Sequence, residues 1–318
     1  MGIKHAIKGI LTFIPGLARL TCRKTGGTNS ARYCYSVWLR HLIMINQSGL
    51  DTNFQTIAEL GPGDSIGVGL AALLTGANKY YALDIQKYAH RQTDLRILNE
   101  LLSLFAATAA IPGKDEFPQI TPEISSLRFP HDILTEKRLA RSLATERVEQ
   151  IRQALLKLDE NGTSGKSSEI EIYYLAPWRI SAEIEDNSVD LIISQAALEH
   201  IEDLADAYLA MSKWLRTGGI MSHQIDFSAH GLADEWNGHW AYSDLLWKVI
   251  RGKRPWSINR QPYSIHRKLI EQSGFDIIRE LKGYDKSGIE KHQLAPQFAD
   301  ISDEDLITRT AYILAVKK

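Results

Sequence analysis

The chain has 318 residues, 44% hydrophobic and 24% charged, with a net charge of −1. That length holds one large domain with insertions or two small ones, and the composition is that of an ordinary globular protein. The near-zero charge argues against nucleic acid as a partner, which needs a basic excess, and the two cysteines, Cys22 and Cys34, are too few for a disulfide framework and fit a reducing, cytoplasmic setting. The first twenty residues place Ile3, Ile7, Ile10, Leu11, Ile14 and Leu17 at helical spacing, with Lys4, Lys8 and Arg19 between them and Pro15-Gly16 as an interruption. Lys8 splits the apolar stretch and no small-residue cleavage site is evident, so a signal peptide is not expected. No run of 18 apolar residues occurs, so no spanning helix is expected. The segment either packs on the domain or makes a peripheral contact with an anionic membrane surface at its inner face. A second helix over 30–48 has a thick apolar face and stops near Gly49. Together 1–50 form an expected N-terminal helical cap on a domain spanning 51–318.

The domain opens with Thr56-Ile-Ala-Glu-Leu-Gly-Pro-Gly-Asp-Ser65. A short apolar strand ends in an acid, a Gly-Pro-Gly turn follows, and an apolar helix starts at Ile66. That is where open α/β sheets seat a nucleotide. Gly61 and Gly63 lack a Cβ and let the backbone turn sharply against a ligand. A second strand, Lys79-Tyr-Tyr-Ala-Leu-Asp84, ends in a carboxylate at the distance expected of a ribose-binding acid. A dinucleotide fingerprint would need a third glycine at position 66, which is Ile66. The next clear strand is Ile170–Tyr174, so residues of about 88–168 read as an insertion, helical over 92–108 and 134–158, with Asn161–Ser168 as a linker. Further strands are expected at Val189–Ser194, Ile220–Ile225, Phe275–Leu281 and Thr310–Val316. Helices lie between them at 204–215 and 264–273.

Three segments carry a family resemblance. Glu59-x-Gly61-x-Gly63 resembles motif I of the class I S-adenosylmethionine methyltransferases, with Ser65 at the place of a frequent third glycine. Asn187–Ile201, with its Leu198-Glu199-His200, resembles that family's fourth-strand segment. Trp214-Leu-Arg-Thr-Gly-Gly-Ile-Met-Ser222 resembles its fifth-strand segment, with Thr217 at a usual proline. The resemblance implies a Rossmann-like α/β fold: a seven-stranded, mostly parallel sheet, helices on both faces, a helical insertion after the second strand and an aromatic lid after the fifth. It implies S-adenosyl-L-methionine as cofactor. Glu59 would meet its amino group, Gly61 and Gly63 would form the close turn, Asp84 would accept from both ribose hydroxyls, and Ile85 would flank the adenine. The family's acid after the third strand is missing from Leu175-Ala-Pro-Trp178. Ser194 and Gln195 should line the cleft beside the methyl group.

The segment after the fifth strand concentrates His223, His230 and His239, and the tryptophans at 236, 240, 247 and 256. Ligands of such sheets bind beyond strand C-termini. His223 is the candidate general base, oriented by Asp226, with His230 as a second catalytic candidate. Trp236, His239, Trp240 and Asn259 are candidate acceptor-binding residues, against the alternative of a packed lid. His223, Asp226 and His230 have no recognised metal spacing, so no metal is expected. Lys248, Arg251, Lys253 and Arg254 form either a phosphate-binding or a solvated cluster. The lid pattern looks like that of bacterial methyltransferases of polysaccharide and glycan biosynthesis. The expected reaction is O-methylation of a saccharide or nucleotide-linked sugar. The alternatives are a lipid or other small-molecule acceptor, or an inert cofactor-binding scaffold.

Overall fold

A computed structural model describes residues 2–14, 26–158, 164–178, 184–254 and 257–318. Pro15, Gly16, Leu17, Arg19, Cys22, Asn161 to Thr163 and Trp256 lie outside the described residues.

Eight strands form one sheet in the order β3-β4-β2-β1-β5-β6-β8-β7. Strands β1 (Thr56–Leu60), β2 (Lys79–Leu83), β4 (Ile170–Leu175), β5 (Val189–Gln195) and β6 (Leu215–Asp226) run parallel. β8 (Thr308–Lys317) enters antiparallel between β6 and β7 (Phe275–Tyr284). Seven of these strands are the expected ones. The eighth, β3 (Ser164–Ser167), corrects the expected linker: it pairs antiparallel with the edge of β4, Gly165 opposite Ile172. Gly165 carries the signature of that role, because a Cβ there would lie 2.0 Å from the Ala154 carbonyl oxygen.

Alternation along the strands builds two cores. One face holds Ile57, Leu191, Ile193 and Leu314 under α2 (Ala31–Gln47), α3 (Gly67–Leu74), α4 (Arg91–Ala106) and α6 (Thr145–Lys157). The other holds Ala58, Ile192, Met221 and Ile225 under α7 (Leu204–Trp214) and α9 (Tyr263–Gln272). The helix expected over 134–158 is two, α5 (Glu136–Ser142) and α6, separated by Leu143-Ala144. Helix α2 is a core layer. Its His41 Nδ1 lies 2.7 Å from Ser222 Oγ, which lies 2.7 Å from Tyr312 Oη, so one polar chain joins the helix to β6 and β8.

Residues after β6 form a separate small core. Ala229, Leu232, Tyr242, Trp247 and Ile250 pack around α8 (Asp244–Arg251), and α1 (Ile3–Leu11) docks on it. The docking face of α1 is small and polar. A Cβ on Gly9 would lie 1.9 Å from the Val249 carbonyl oxygen, so only glycine permits this approach. Thr12 Oγ1 accepts from Lys253 N at 2.8 Å.

Candidate functional site

The C-terminal ends of β1, β2 and β5 place the first group of residues. Gly61 and Gly63 have φ of +68° and +75°, the left-handed region that glycine enters without penalty. Gly61 N–H donates to Leu83 O at 2.8 Å, and a Cβ on Gly61 would stand 2.6 Å from Ala197 Cβ. The turn is therefore clamped between β2 and the segment that follows β5. Asp84 lies just past β2 and is buried; it accepts from Ile85 N at 2.7 Å and from Gly63 N at 3.3 Å. Burial pushes its carboxyl up to about 6, against the pull of those backbone N–H groups. A carboxylate has about four lone-pair sites. Single N–H groups of Ile85, Gly63 and Gln86 take up part of that capacity, and the remainder can accept from a ribose hydroxyl, so in that respect the turn fits an S-adenosylmethionine ribose. Ile85 beside it is exposed.

Glu59 is placed differently from the expectation. Its carboxylate is buried and accepts from Tyr80 Oη at 2.5 Å, and burial raises it to about 7. It braces β1 against β2 and α3 rather than reaching an amino group. Ser194 and Gln195 occupy opposite faces of β5, as adjacent strand residues must. Ser194 Oγ turns into the core, 2.8 Å from His223 Nδ1. Gln195 Nε2 donates to Thr121 O at 3.0 Å and ties the insertion to the sheet.

The same alternation separates the expected catalytic group. His223 and Asp226 are three residues apart on β6, so they face opposite sides of the sheet. His223 has 0% exposure and faces Ser194, and burial lowers it to about 3. A ring closed off from solvent and acceptor, and neutral at all working pH, is a core residue. The general-base assignment to His223 is corrected on that ground. Asp226, at the open end of β6, is brought near His230 instead, with Oδ2 3.8 Å from His230 Nε2. His230 holds φ of +48°, uncommon for a residue with a Cβ, and its side chain is part-exposed.

Trp247 packs in the small core after β6, and Trp240 packs against Ile289, Ile301 and Leu306. Trp240 is fully buried and its Nε1 donates to Arg260 O at 2.9 Å. The Arg260 guanidinium lies over the rings of Trp247 and Phe298, at 5.0 and 4.8 Å, and pairs with Asp244. His239 is buried 4.7 Å from the Trp240 ring and is lowered to about 3 by burial and then by Arg260. His239 and Trp240 are thus not available to an acceptor, a correction to the expected binding set; Trp236 is half-buried. Of the basic cluster, Arg251 pairs with Glu202, Lys253 stands over Phe13, and Arg254 donates to Ile250 O.

Asn259 has a role that the sequence did not indicate. Its Nδ2 donates to Leu198 O and Ile201 O, both at 2.8 Å, and its N–H donates to Glu199 O at 2.7 Å. It holds the 3-10 turn Leu198–His200 in shape. That turn carries Glu199, a buried acid quoted in the sequence motif but given no function there. Its Oε1 lies 3.7 Å from His230 Nε2.

A family model described as methyltransferase domain matches residues 148–222. Among solved structures, an S-adenosylmethionine-dependent methyltransferase from Mesorhizobium loti aligns at 14% identity over 86% of this chain and 96% of its own, with a TM-score of 0.42. A phosphoethanolamine N-methyltransferase 2 from Haemonchus contortus, in complex with S-adenosyl-L-methionine, aligns at 14% identity over 88% of this chain and 52% of its own, with a TM-score of 0.42. The [4+2]-cyclase SpnF aligns at 11% identity over 87% of this chain and 79% of its own, with a TM-score of 0.40. No curated protein matches.

Proposed function

We propose that this chain, an S-adenosylmethionine-dependent methyltransferase, delivers the methyl group to a hydroxyl oxygen of a saccharide or nucleotide-linked sugar. When bound, S-adenosylmethionine supplies an activated methyl group on a sulfonium sulfur. The observation that carries the reading is the pairing of two sites: the Gly61–Gly63 turn with buried Asp84, and, across Ala197, the polar group Asp226, His230 and Glu199. Asp84 holds the ribose. Gly61 and Gly63 bring the backbone close, and Ile85 offers an apolar edge to the adenine. A hydroxyl has a pKa far above neutrality and needs help losing its proton. Asp226, His230 and Glu199 are the groups near the strand ends that can accept or stabilise that proton's loss. Positioning supplies much of the rest, because a methyl transfer requires donor, carbon and nucleophile in line. Trp236 provides the aromatic surface on which a sugar ring packs.

The test uses full-length protein and S-adenosylmethionine labelled in its methyl group. It is offered nucleotide-linked sugars, free oligosaccharides, phospholipids and small amines in parallel. Label in an alkali-stable ether of a sugar is the expected outcome. Label only in lipid or amine moves the acceptor to that class. Cofactor binding without transfer to any class would leave a scaffold.

A second reading concerns location. Helix α1 docks through Gly9 and Thr12, so its apolar side chains point outward: Ile3 is 74% exposed, and Ile7, Ile10, Phe13 and Ile14 are each about half exposed. Leu245 of α8 adds to the exposed apolar set, at 76%. Exposed Lys8 and Lys248 belong to the same two helices, and Lys4 pairs with Asp234. An apolar face rimmed by lysine matches an anionic lipid surface. No helix among the described residues is long and apolar enough to cross a membrane.

A further inference from the structure

We propose that Glu199, His200 and His230, with Asp226 beside them, form a binding site for a divalent first-row transition ion such as Mn²⁺ or Zn²⁺. One donor atom from each of the first three lies within 4.8 Å of the others. His230 Nε2 is 3.7 Å from Glu199 Oε1 and 3.8 Å from Asp226 Oδ2. These separations are too long for hydrogen bonds. They are slightly longer than the ~3.3 Å between donors that share a tetrahedral ion at ordinary bond lengths. A small contraction would close them on a cation.

The second observation is Glu199 itself. It is 2% exposed, and neither carboxylate oxygen meets a donor at hydrogen-bond geometry. His230 Nε2 is likewise buried without a partner. A buried carboxylate must be neutralised by a proton, an ion pair or a metal. Beside it lies the His230 imidazole, whose Nε2 makes no hydrogen bond. The turn is also built to hold this geometry. Asn259 binds the carbonyls of residues 198, 199 and 201. His200 Nδ1 faces Ser257 O at 3.0 Å, the kind of outer bond that fixes the orientation of a metal-binding imidazole. His230 is held at φ of +48°, a cost that a local structure must offset.

Two imidazoles and two carboxylates favour manganese, iron or zinc over magnesium or calcium, which prefer oxygen alone. The expectation of no metal concerned His223, Asp226 and His230. The structure takes that set apart and assembles this one. The consequence for acceptor chemistry rests on the methyltransferase reading: a hydroxyl bound to the ion loses its proton, to solvent, at lower pH than a free one. Ion binding does not rest on that reading.

The experiment titrates chelator-stripped full-length protein with Mn²⁺, reading the free aquo ion by electron paramagnetic resonance, and then displaces it with Zn²⁺. One ion per chain is expected. Glu199→Gln and His230→Asn should each weaken binding roughly tenfold or more, while Asp84→Asn, which alters the cofactor turn, should leave it unchanged. Thermal melting should show the ion raising the midpoint of wild type and not of Glu199→Gln. If Glu199→Gln does not fold, part-exposed His230→Asn carries the comparison. Wild type that takes up neither ion, or variants that bind as wild type does, would overturn the site. Ion uptake without any methyl transfer would retain the site and remove the enzymatic reading.

Discussion

Asp84 illustrates how one buried side chain sets a condition on binding. Its carboxyl is held up to about 6 by burial, and it must be ionised to accept from a ribose hydroxyl. The sign follows: below that value the folded protein carries a proton there, and a ligand that needs the anion must displace it. S-adenosylmethionine affinity should therefore fall as pH drops through 6, by up to about tenfold per unit. Asp84→Asn should lose about 1.5–3 kcal/mol of binding at neutral pH, together with the pH dependence. Calorimetry from pH 5 to 8 measures both, and a wild-type curve flat across that range would remove Asp84 from the contact. At this scale the glycine turn with its strand-end acid was legible and the arrangement of the histidines was not. Glycines and a strand-end acid act through backbone geometry, which spacing encodes. Which of three histidines faces the cleft depends on strand parity and on what covers each face. His223 and Asp226 look adjacent in sequence, yet an odd separation along β6 places them on opposite sides.

Helix α1 reverses the usual amphipathic arrangement, because its smallest residues rather than its largest contact the protein. Each isoleucine buried in a lipid interface would contribute about 2 kcal/mol at most. Full-length protein should sediment with vesicles of phosphatidylglycerol and phosphatidylcholine, less with phosphatidylcholine alone, and less at high salt. The double substitution Ile7→Asp with Ile10→Asp should abolish sedimentation while the melting profile stays unchanged, since both side chains point outward. Equal sedimentation of the variant would sink the membrane reading. The helical period of this segment was visible in the sequence. The face chosen for docking was not, because it depends on a glycine meeting a carbonyl on α8 some 240 residues later. Strand β3 was missed for a similar reason. Ser164-Gly-Lys-Ser has turn composition, and it is extended only because an open strand edge accepts it.

Across the whole molecule, burial has moved histidines and acids in opposing directions. His41 and His200 are lowered to about 4, and His223, His239 and His266 to about 3. Each folded value lies below the unfolded one, so each contributes stability that is complete above about 6.5 and is lost as pH falls through the folded value. Glu59 and Asp94, raised to about 7, Asp84, raised to about 6, and Glu199, raised well above the ordinary carboxylate range, do the reverse: their contribution is complete below that range and is lost as pH rises through the folded values. The two trends offset each other at mildly acidic pH, so stability there should vary little. Between about pH 4 and pH 3 the contribution of the acids is complete while His223, His239 and His266 still act, so unfolding should steepen there. Urea titrations at successive pH values test this, and His266→Phe, at a site lined by Tyr208 and Phe227, should shift the steep limb to lower pH. A steady decline from pH 7 downward would contradict the balance.

The polar chain from His41 through Ser222 to Tyr312 also bears on synthesis. It joins a helix to a strand about 270 residues later in the chain, with β6 between them. A chain emerging from the ribosome presents α2, with Tyr35, Trp38, Leu39 and Leu42, long before β8 exists to complete its seat. Contacts of such sequence separation form slowly, and apolar surface waiting for them is prone to aggregation. Until β8 is made, the buried face of α2 that meets the sheet lacks part of its seat, and chaperone dependence during expression should follow from α2.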